Sequence, residues 1–360
     1  MGLIHGKRDK MKNFRRILAV LMTAVMLFAV AGMGASANEN KITVKMINFN
    51  VAGMPSFDGK GSANHKAIAK YIVENEFDIA AVQEDFMYNK ALVNGLEGFD
   101  YFTNHAGSIP GGDGLNIFTK GMPIYNEERV EWDKCFGDIA EGDVLTPKGI
   151  LHAVIEIADG IFVDFYNIHA DAFETMGSRE ARDSNYDQVL TMIEENYEKY
   201  NRPVILTGDF NHHFHSRPDY PSKLYDFFCV RGGMKDAWIE LCNGGDYFDF
   251  DVYQNSDVEF WGNWDSVEKF MYKDGGGVTV TAKEFKYSQV LNADGEALSD
   301  HAAAECIFEF TVTEDFVKNT QNLEVVTRSP LRNVFNIIKW IFKDLIHVVT
   351  HLDEFIDMIF

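Results

Sequence analysis

The sequence predicts an α/β domain in which two packed sheets are covered on their outer sides by helices. Runs of strand length, apolar or alternating, occur at 42–49, 78–83, 115–119, 124–132, 149–157, 161–168, 203–207, 278–290 and 302–312. Amphipathic helical patterns lie at 63–76, 88–96, 178–199 and 221–229. Paired strand runs mixed with helices fit two sheets with helices outside. Roughly 270 residues between the two ends suffice for one large domain with a well-buried core.

Each part can be justified in chain order. Residues 1–37 read as a signal peptide. Lys7, Arg8, Lys10, Lys12, Arg15 and Arg16 form a basic start, and Ile17 to Ala31 is almost wholly apolar. Ala35-Ser36-Ala37 then offers small residues for cleavage before Asn38. The expected destination is outside the cell, secreted or at the surface of a bacterium. Residues 38–315 carry the strands and helices as one domain. Within it, Lys41 to Asn50 alternates and stops at Asn50-Val51-Ala52-Gly53, and Asp78 to Gln83 is an apolar run capped by Glu84. Ile161 to His169 ends in an imidazole, and Pro203 to Leu206 runs into Gly208-Asp209-Phe210-Asn211. Ser299-Asp300-His301 precedes the strand-like run Ala302 to Phe310. The helical stretch 63–76 places Ile68, Ile72 and Val73 on one face.

Residues 243–264, aromatic and acidic without clean periodicity, are expected to form a long surface loop near the site. Residues 316–360 are an expected amphipathic helical tail, entered at Ser329-Pro330, with one polar stripe on an otherwise apolar cylinder. Its charges at every turn argue against a bilayer span. Packing against the domain or another copy remains open beside an in-plane helix on a membrane surface. Cys306 reads as a buried strand thiol. Cys229 and Cys242 are near enough in sequence to bridge in an exported chain, and no cysteine spacing matches a zinc site. His212, His213 and His215 are expected on a solvated loop.

The chemistry sits at the strand ends. A tight Gly turn after an apolar strand aims Asp209 and Asn211 into a cleft. Two carboxylates, a carboxamide and a histidine there are the parts that hold a hard cation and activate water against a phosphate ester. On these residues the chain resembles the endonuclease/exonuclease/phosphatase superfamily over roughly 41–312. Asn50, Gln83-Glu84, Asp113-Gly114-Leu115, Ile168-His169, Gly208 to Asn211 and Ser299 to His301 carry the likeness. Asp113 to Lys120, Met122-Pro123-Ile124 and Pro147 to Ile150 are similar to bacterial sphingomyelinases within it.

The resemblance implies a four-layer α/β/β/α sandwich of two mixed sheets flanked by helices, and hydrolysis of phosphoric esters with Mg²⁺ (Mn²⁺ as an alternative). It implies Glu84, Asn50 and Asp300 as metal contacts and His301 as general base. The carboxylate partner of that base comes from the preceding strand and maps to Asp265. Asp209 and Asn211 would orient water and a phosphate oxygen, His169 would donate to the phosphoryl group, and Lys148 and Asn116 would contact substrate. One departure is Ala52, where many nucleases of the family carry Asp.

Charge sorts the substrates. The chain carries a formal −22, which becomes −27 without residues 1–37, since six Lys/Arg and Asp9 leave with them. Duplex binding draws affinity from Lys and Arg contacts to phosphates, so nucleic acid is the less expected partner. A phospholipid with a choline-like head group, held by cation–π contacts and carboxylates, fits the acidic and aromatic composition. The alternatives are a secreted deoxyribonuclease-like endonuclease, an inositol-phosphate phosphatase, or a non-catalytic scaffold that binds surfaces.

Overall fold

The computed structural model describes residues 41–55, 60–109, 111–136, 146–214, 221–245, 247, 265–318, 323–327, 338 and 342. The expected leader 1–37, His215, most of the 243–264 insertion and most of the tail lie outside the described residues. Two six-stranded sheets form the centre. The first is ordered β11 (Val278–Ser288), β12 (Ala303–Val312), β1 (Lys41–Asn50), β2 (Ile79–Gln83), β4 (Asn116–Thr119), β3 (Tyr101–Phe102). The second is ordered β5 (Ile124–Glu131), β6 (Gly149–Ala158), β7 (Ile161–His169), β8 (Val204–Asp209), β10 (Glu268–Lys273), β9 (Lys235–Asp236).

Both sheets are mixed for the same reason. The pairs β1–β2 and β7–β8 are parallel, and a parallel pair needs a crossover. Helix α1 (Gly61–Glu74) spans the first gap and α3 (Met176–Tyr200) the second, while α2 (Asn89–Gly95) packs beside α1. Helix α3 starts where the Thr175 hydroxyl accepts the Ser178 N–H, and it stops at Asn201, whose left-handed backbone (φ 48°) ends the spiral. The pairs β5–β6, β6–β7 and β11–β12 are antiparallel, and β6 passes into β7 through the two-residue turn 159–160.

Period-two alternation sorts the strand residues between layers. Val44, Met46, Ile79, Ala81, Val163, Phe165, Ile205, Phe270, Phe308 and Phe310 fill the seam between the sheets. Ile47, Phe49, Ala80 and Val82 face α1 and α2, and Tyr166, Ile168, Leu206 and Met271 face α3 and the π-helical turn Tyr225–Arg231. The four-layer sandwich follows.

Toward one end the seam turns from apolar to polar. Asn48, Gln83 and Asn167 are buried and linked there: the Gln83 amide donates to Asn48 Oδ1 (2.7 Å) and Asn167 Oδ1 (2.6 Å). The Asn48 amide donates to Gly208 O (2.8 Å) and that of Asn167 to Val82 O (2.9 Å). Each bond runs within or between the two sheets, so the seam is registered directly beneath the strand ends.

Strands β3, β9 and β10 and the short α4 (Ala237–Cys242) were not expected from the sequence, and the helical pattern at 221–229 closes instead as the π-turn. Cys306 is buried in β12, and Cys229 and Cys242 are unbridged. Residues 323–327 lie extended along edge strand β5: Val326 N–H donates to Ile124 O and Asn126 N–H to Glu324 O (both 2.9 Å). The segment after 315 therefore begins as a sheet-edge cover, and its helical residues Ile338 and Phe342 are exposed. Among the described residues no helix is long and apolar enough to cross a membrane.

Candidate active site

The parallel strands β1, β2, β7 and β8 deliver their C-terminal ends, and antiparallel β10 its first residue, to one mouth between the sheets. Asn50 ties the two sides together. Its amide nitrogen lies 3.0 Å from Glu84 Oε1 and 3.1 Å from Asp209 Oδ2, donating to both. Glu84 holds a left-handed backbone (φ 55°), as does Asn211 (φ 51°). Such non-glycine strain persists only where surroundings fix it, and it gathers at functional sites. The Glu84 loop is fixed by its own carbonyl, which accepts N–H groups from Gly53 (3.0 Å) and Phe86 (2.8 Å).

Asp209 faces Glu268 directly across the β8–β10 ladder. Two carboxylates so placed repel, and His301 stands against both: Nδ1 is 2.5 Å from Glu268 Oε1 and 3.7 Å from Asp209 Oδ2. The Ser266 hydroxyl donates to the second Glu268 oxygen. The backbone of His301 is anchored through Ser299, whose hydroxyl donates to Asn50 O (2.7 Å) and accepts the His301 N–H (3.1 Å).

The field at the mouth follows from this arrangement. Burial alone would lower the His301 pKa, but Asp209, Glu268 and Asp300 outweigh it and raise it to about 10. Asp209 is held below its ordinary value although burial pushes it up, because the His301 charge lies close and the Asn50 amide and Asn211 N–H donate to it. Burial raises Glu84, opposed by Asn50 and by the charges of Lys148 and His301. His169 is buried with Nε2 3.5 Å from Asp209 Oδ2. Desolvation, then the Lys148 charge, keeps it well below its ordinary value, so it is neutral.

The structure corrects several sequence assignments. The carboxylate on His301 is Glu268, not Asp265. Asp265 instead takes the Lys269 ammonium on Oδ1 and the Phe214 N–H on Oδ2 (2.5 Å), against the outer apolar layer. Asn116 is buried under the mouth, where its amide donates to Asp85 Oδ2 (2.9 Å) and so supports the Glu84 loop. Asp113 forms a buried ion pair with Arg129 (2.6 Å). His212 is buried rather than solvated as expected, whereas His213 is partly exposed with Nδ1 3.1 Å from Asp265 O.

Asn50, Glu84, His169, Asp209 and His301 are brought together. Asp300 is exposed beside them, and Lys148 lies near enough for its charge to reach Glu84 and His169. Asn211 borders the group, with its amide donating to Ala170 O (2.9 Å). Glu268 was missed because Glu268-Lys269 interrupts an apolar run. The usable signal was alternation, since Glu268, Phe270 and Tyr272 share one face.

The donor set suits a hard cation. Asp209, Glu268 and His301 offer ligand atoms within 4.8 Å of one another, and Glu84 adds a third carboxylate through Asn50. An oxygen-rich cluster without a thiolate fits Mg²⁺ or Mn²⁺ rather than a thiol-seeking metal.

Comparison with known proteins agrees with this geometry. Sphingomyelinase of Mycobacterium tuberculosis is 28% identical over 276 residues, covering 74% of this chain and 52% of that protein. The chain thus spans about half the length of the curated relatives it matches. Among solved structures, TDP2 of D. rerio complexed with a single-strand DNA product superposes with TM-score 0.55 at 17% identity, covering 74% of this chain and 98% of that one. Sphingomyelinase C from Streptomyces griseocarneus gives 0.50 at 15% identity, with 74% and 99% covered. At those identities the likeness concerns the fold. With the family model for endonuclease/exonuclease/phosphatase proteins matching residues 47–301, through both halves of the sandwich and every strand end at the mouth, the chain belongs to that family.

Proposed function

We propose that this chain is an exported, Mg²⁺-dependent phosphodiesterase that hydrolyses choline-type phospholipids. The observation that carries the reading is the His301–Glu268–Asp209 cluster facing Glu84 across Asn50 at the mouth of the two sheets. When bound, the divalent cation neutralises phosphate oxygens, acidifies a water and offsets the carboxylate field that holds His301 charged. Glu84 and Asn50 would be its contacts, with Asp300 at the rim, which leaves His301 and Glu268 of the neighbouring cluster for proton transfer.

The residues then divide the work. Water attacks phosphorus, and His301 takes its proton through Nε2 while Glu268 holds Nδ1 and fixes the ring. Asp209 and Asn211 orient the attacking water and a phosphate oxygen. Neutral His169 and the Lys148 ammonium meet the charge that grows on the phosphoryl oxygens. The phosphorus–oxygen bond to the lipid alcohol breaks, the alcohol oxygen takes a proton from solvent water, His301 later returns its proton to solvent, and the head-group phosphate is the second product. The net charge of −22 supports a zwitterionic substrate over a polyanion. The leader-like start of the chain supports export, and the exposed Ile338 and Phe342 support a C-terminal segment that touches membrane.

The test is a hydrolysis panel with sphingomyelin, phosphatidylcholine, phosphatidylinositol, inositol phosphates and plasmid DNA, each with Mg²⁺ and with EDTA. Turnover of the choline lipids, silenced by EDTA and restored by Mg²⁺, is expected. Efficient DNA nicking without lipid hydrolysis replaces this reading with a nuclease, and activity that survives chelation removes the metal.

A further inference from the structure

The loops that carry the site residues also present apolar side chains outward. Met54 follows Asn50 by four residues and Met87 follows Glu84 by three, and both are exposed. These two loops are joined by backbone, Met87 N–H donating to Gly53 O (3.1 Å). Across the mouth, Phe136, Phe173 and Met176 are 47%, 42% and 77% exposed. Phe173 lies four residues beyond His169, which limits the Cα separation to about 15 Å.

This second group is built rather than incidental. Phe173 has φ 66°, a conformation that a bulky side chain adopts only under constraint. The constraint is Arg182, fully buried, whose Nη1 donates to Phe173 O (2.7 Å) and Asp171 O (3.1 Å). Asp171 in turn accepts the Phe136 N–H (2.7 Å), and the Phe136 ring lies against Gly177, where a Cβ would sit 2.4 Å from it. A buried guanidinium therefore holds a strained loop that turns an aromatic ring into solvent beside the mouth.

We propose that Met54, Met87, Phe136, Phe173 and Met176 form an apolar collar that seats the mouth on a zwitterionic lipid–water interface. The inference rests on the phospholipid reading above, because such a substrate must be drawn from a surface. An anionic surface would meet a chain of charge −22 with repulsion. A second copy is the poorer occupant: a stable protein interface buries on the order of 1,000 Å² or more, whereas these side chains form two small groups separated by the site.

Vesicle flotation of the full chain tests this, with His301→Ala present so that no lipid is consumed. Phe173→Gly, and separately Phe136→Ser with Met176→Ser, should weaken binding to phosphatidylcholine vesicles by about tenfold or more. The same changes in the active chain should leave the rate on soluble p-nitrophenylphosphorylcholine unchanged. Glycine takes φ 66° without strain, so Phe173→Gly should melt no lower than its parent. Unchanged vesicle affinity in both variants overturns the collar. So does parental binding to phosphatidylserine vesicles as tight as to phosphatidylcholine, or a self-association that the variants abolish. Collar-dependent binding with no lipid turnover by the active chain would keep the collar and remove the phospholipase reading.

Discussion

Strand β10 separates two buried groups of charge that are neighbours in sequence and opposite in character. On its seam side Glu268 faces Asp209 and His301 at the mouth, with Glu84 nearby. On its other side Lys269, fully buried, gives its ammonium to Asp265 Oδ1 and Ser266 O and lies 4.6 Å from the Phe214 ring centre. The outer group is closed: cation, carboxylate and carbonyl satisfy one another. The inner group holds three carboxylates against one imidazolium and the Lys148 charge. A buried carboxylate excess is unfavourable unless a cation or a reacting phosphate uses it. Compensation, rather than burial or residue type, tells the working group from the supporting one.

The largest expected difference between the two is catalytic. His301→Ala should lower turnover of a choline phosphodiester, measured on the folded fraction, by roughly 10²- to 10⁴-fold, the contribution of a positioned base. A variant with near-parental rate would move the chemistry elsewhere.

Breaking the outer pair should do the reverse. Lys269→Met leaves Asp265 buried and uncompensated, a loss on the order of 3–5 kcal/mol in stability. Adding Asp265→Leu should recover most of it, and the recovered protein should turn over substrate within a few-fold of the parent. Chemical denaturation of the single and double variants measures this. A double variant no more stable than Lys269→Met would show that the pair is not the closed unit described.

A comparable effect, spread over pH, belongs to Asp236, whose Oδ1 caps α4 by accepting the Ile239 N–H (3.0 Å). Burial raises its pKa to about 7, against the Lys269 charge that lowers it. The folded state therefore keeps a proton that the unfolded chain has lost above its ordinary value. This contribution to stability is full below the unfolded pKa and is lost as pH rises through about 7. The total is about 4 kcal/mol at 1.36 kcal/mol per unit. Asp236→Asn should flatten the fall in stability between about pH 4 and 7. An equal slope in both proteins would contradict the assignment.

The same contrast explains what could be read from sequence. Strands β1, β7, β8 and β12 were legible because their seam residues are apolar until the last turn, where Asn50, His169 and Asp209 stand out against the pattern. Strand β10 was not, since Glu268 and Lys269 are both buried, and a reading that equates burial with apolarity ends the strand before it begins. The family pattern asks for a carboxylate near that point, and without the strand it settled on Asp265, three residues early and on the wrong side. Asn116 shows another limit, since its support of the Asp85 carboxylate leaves no mark in the sequence. Two-residue strands such as β3 and β9 leave no periodicity to read.

The most direct test sets the two carboxylates of this strand against each other. Steady-state rates on sphingomyelin with saturating Mg²⁺ should fall at least about a hundredfold for Glu268→Gln, which removes the charge that fixes and supports His301. For Asp265→Asn, measured on the folded fraction, they should stay within a few-fold of the parent. A collapse for Asp265→Asn with Glu268→Gln near the parental rate would contradict the account.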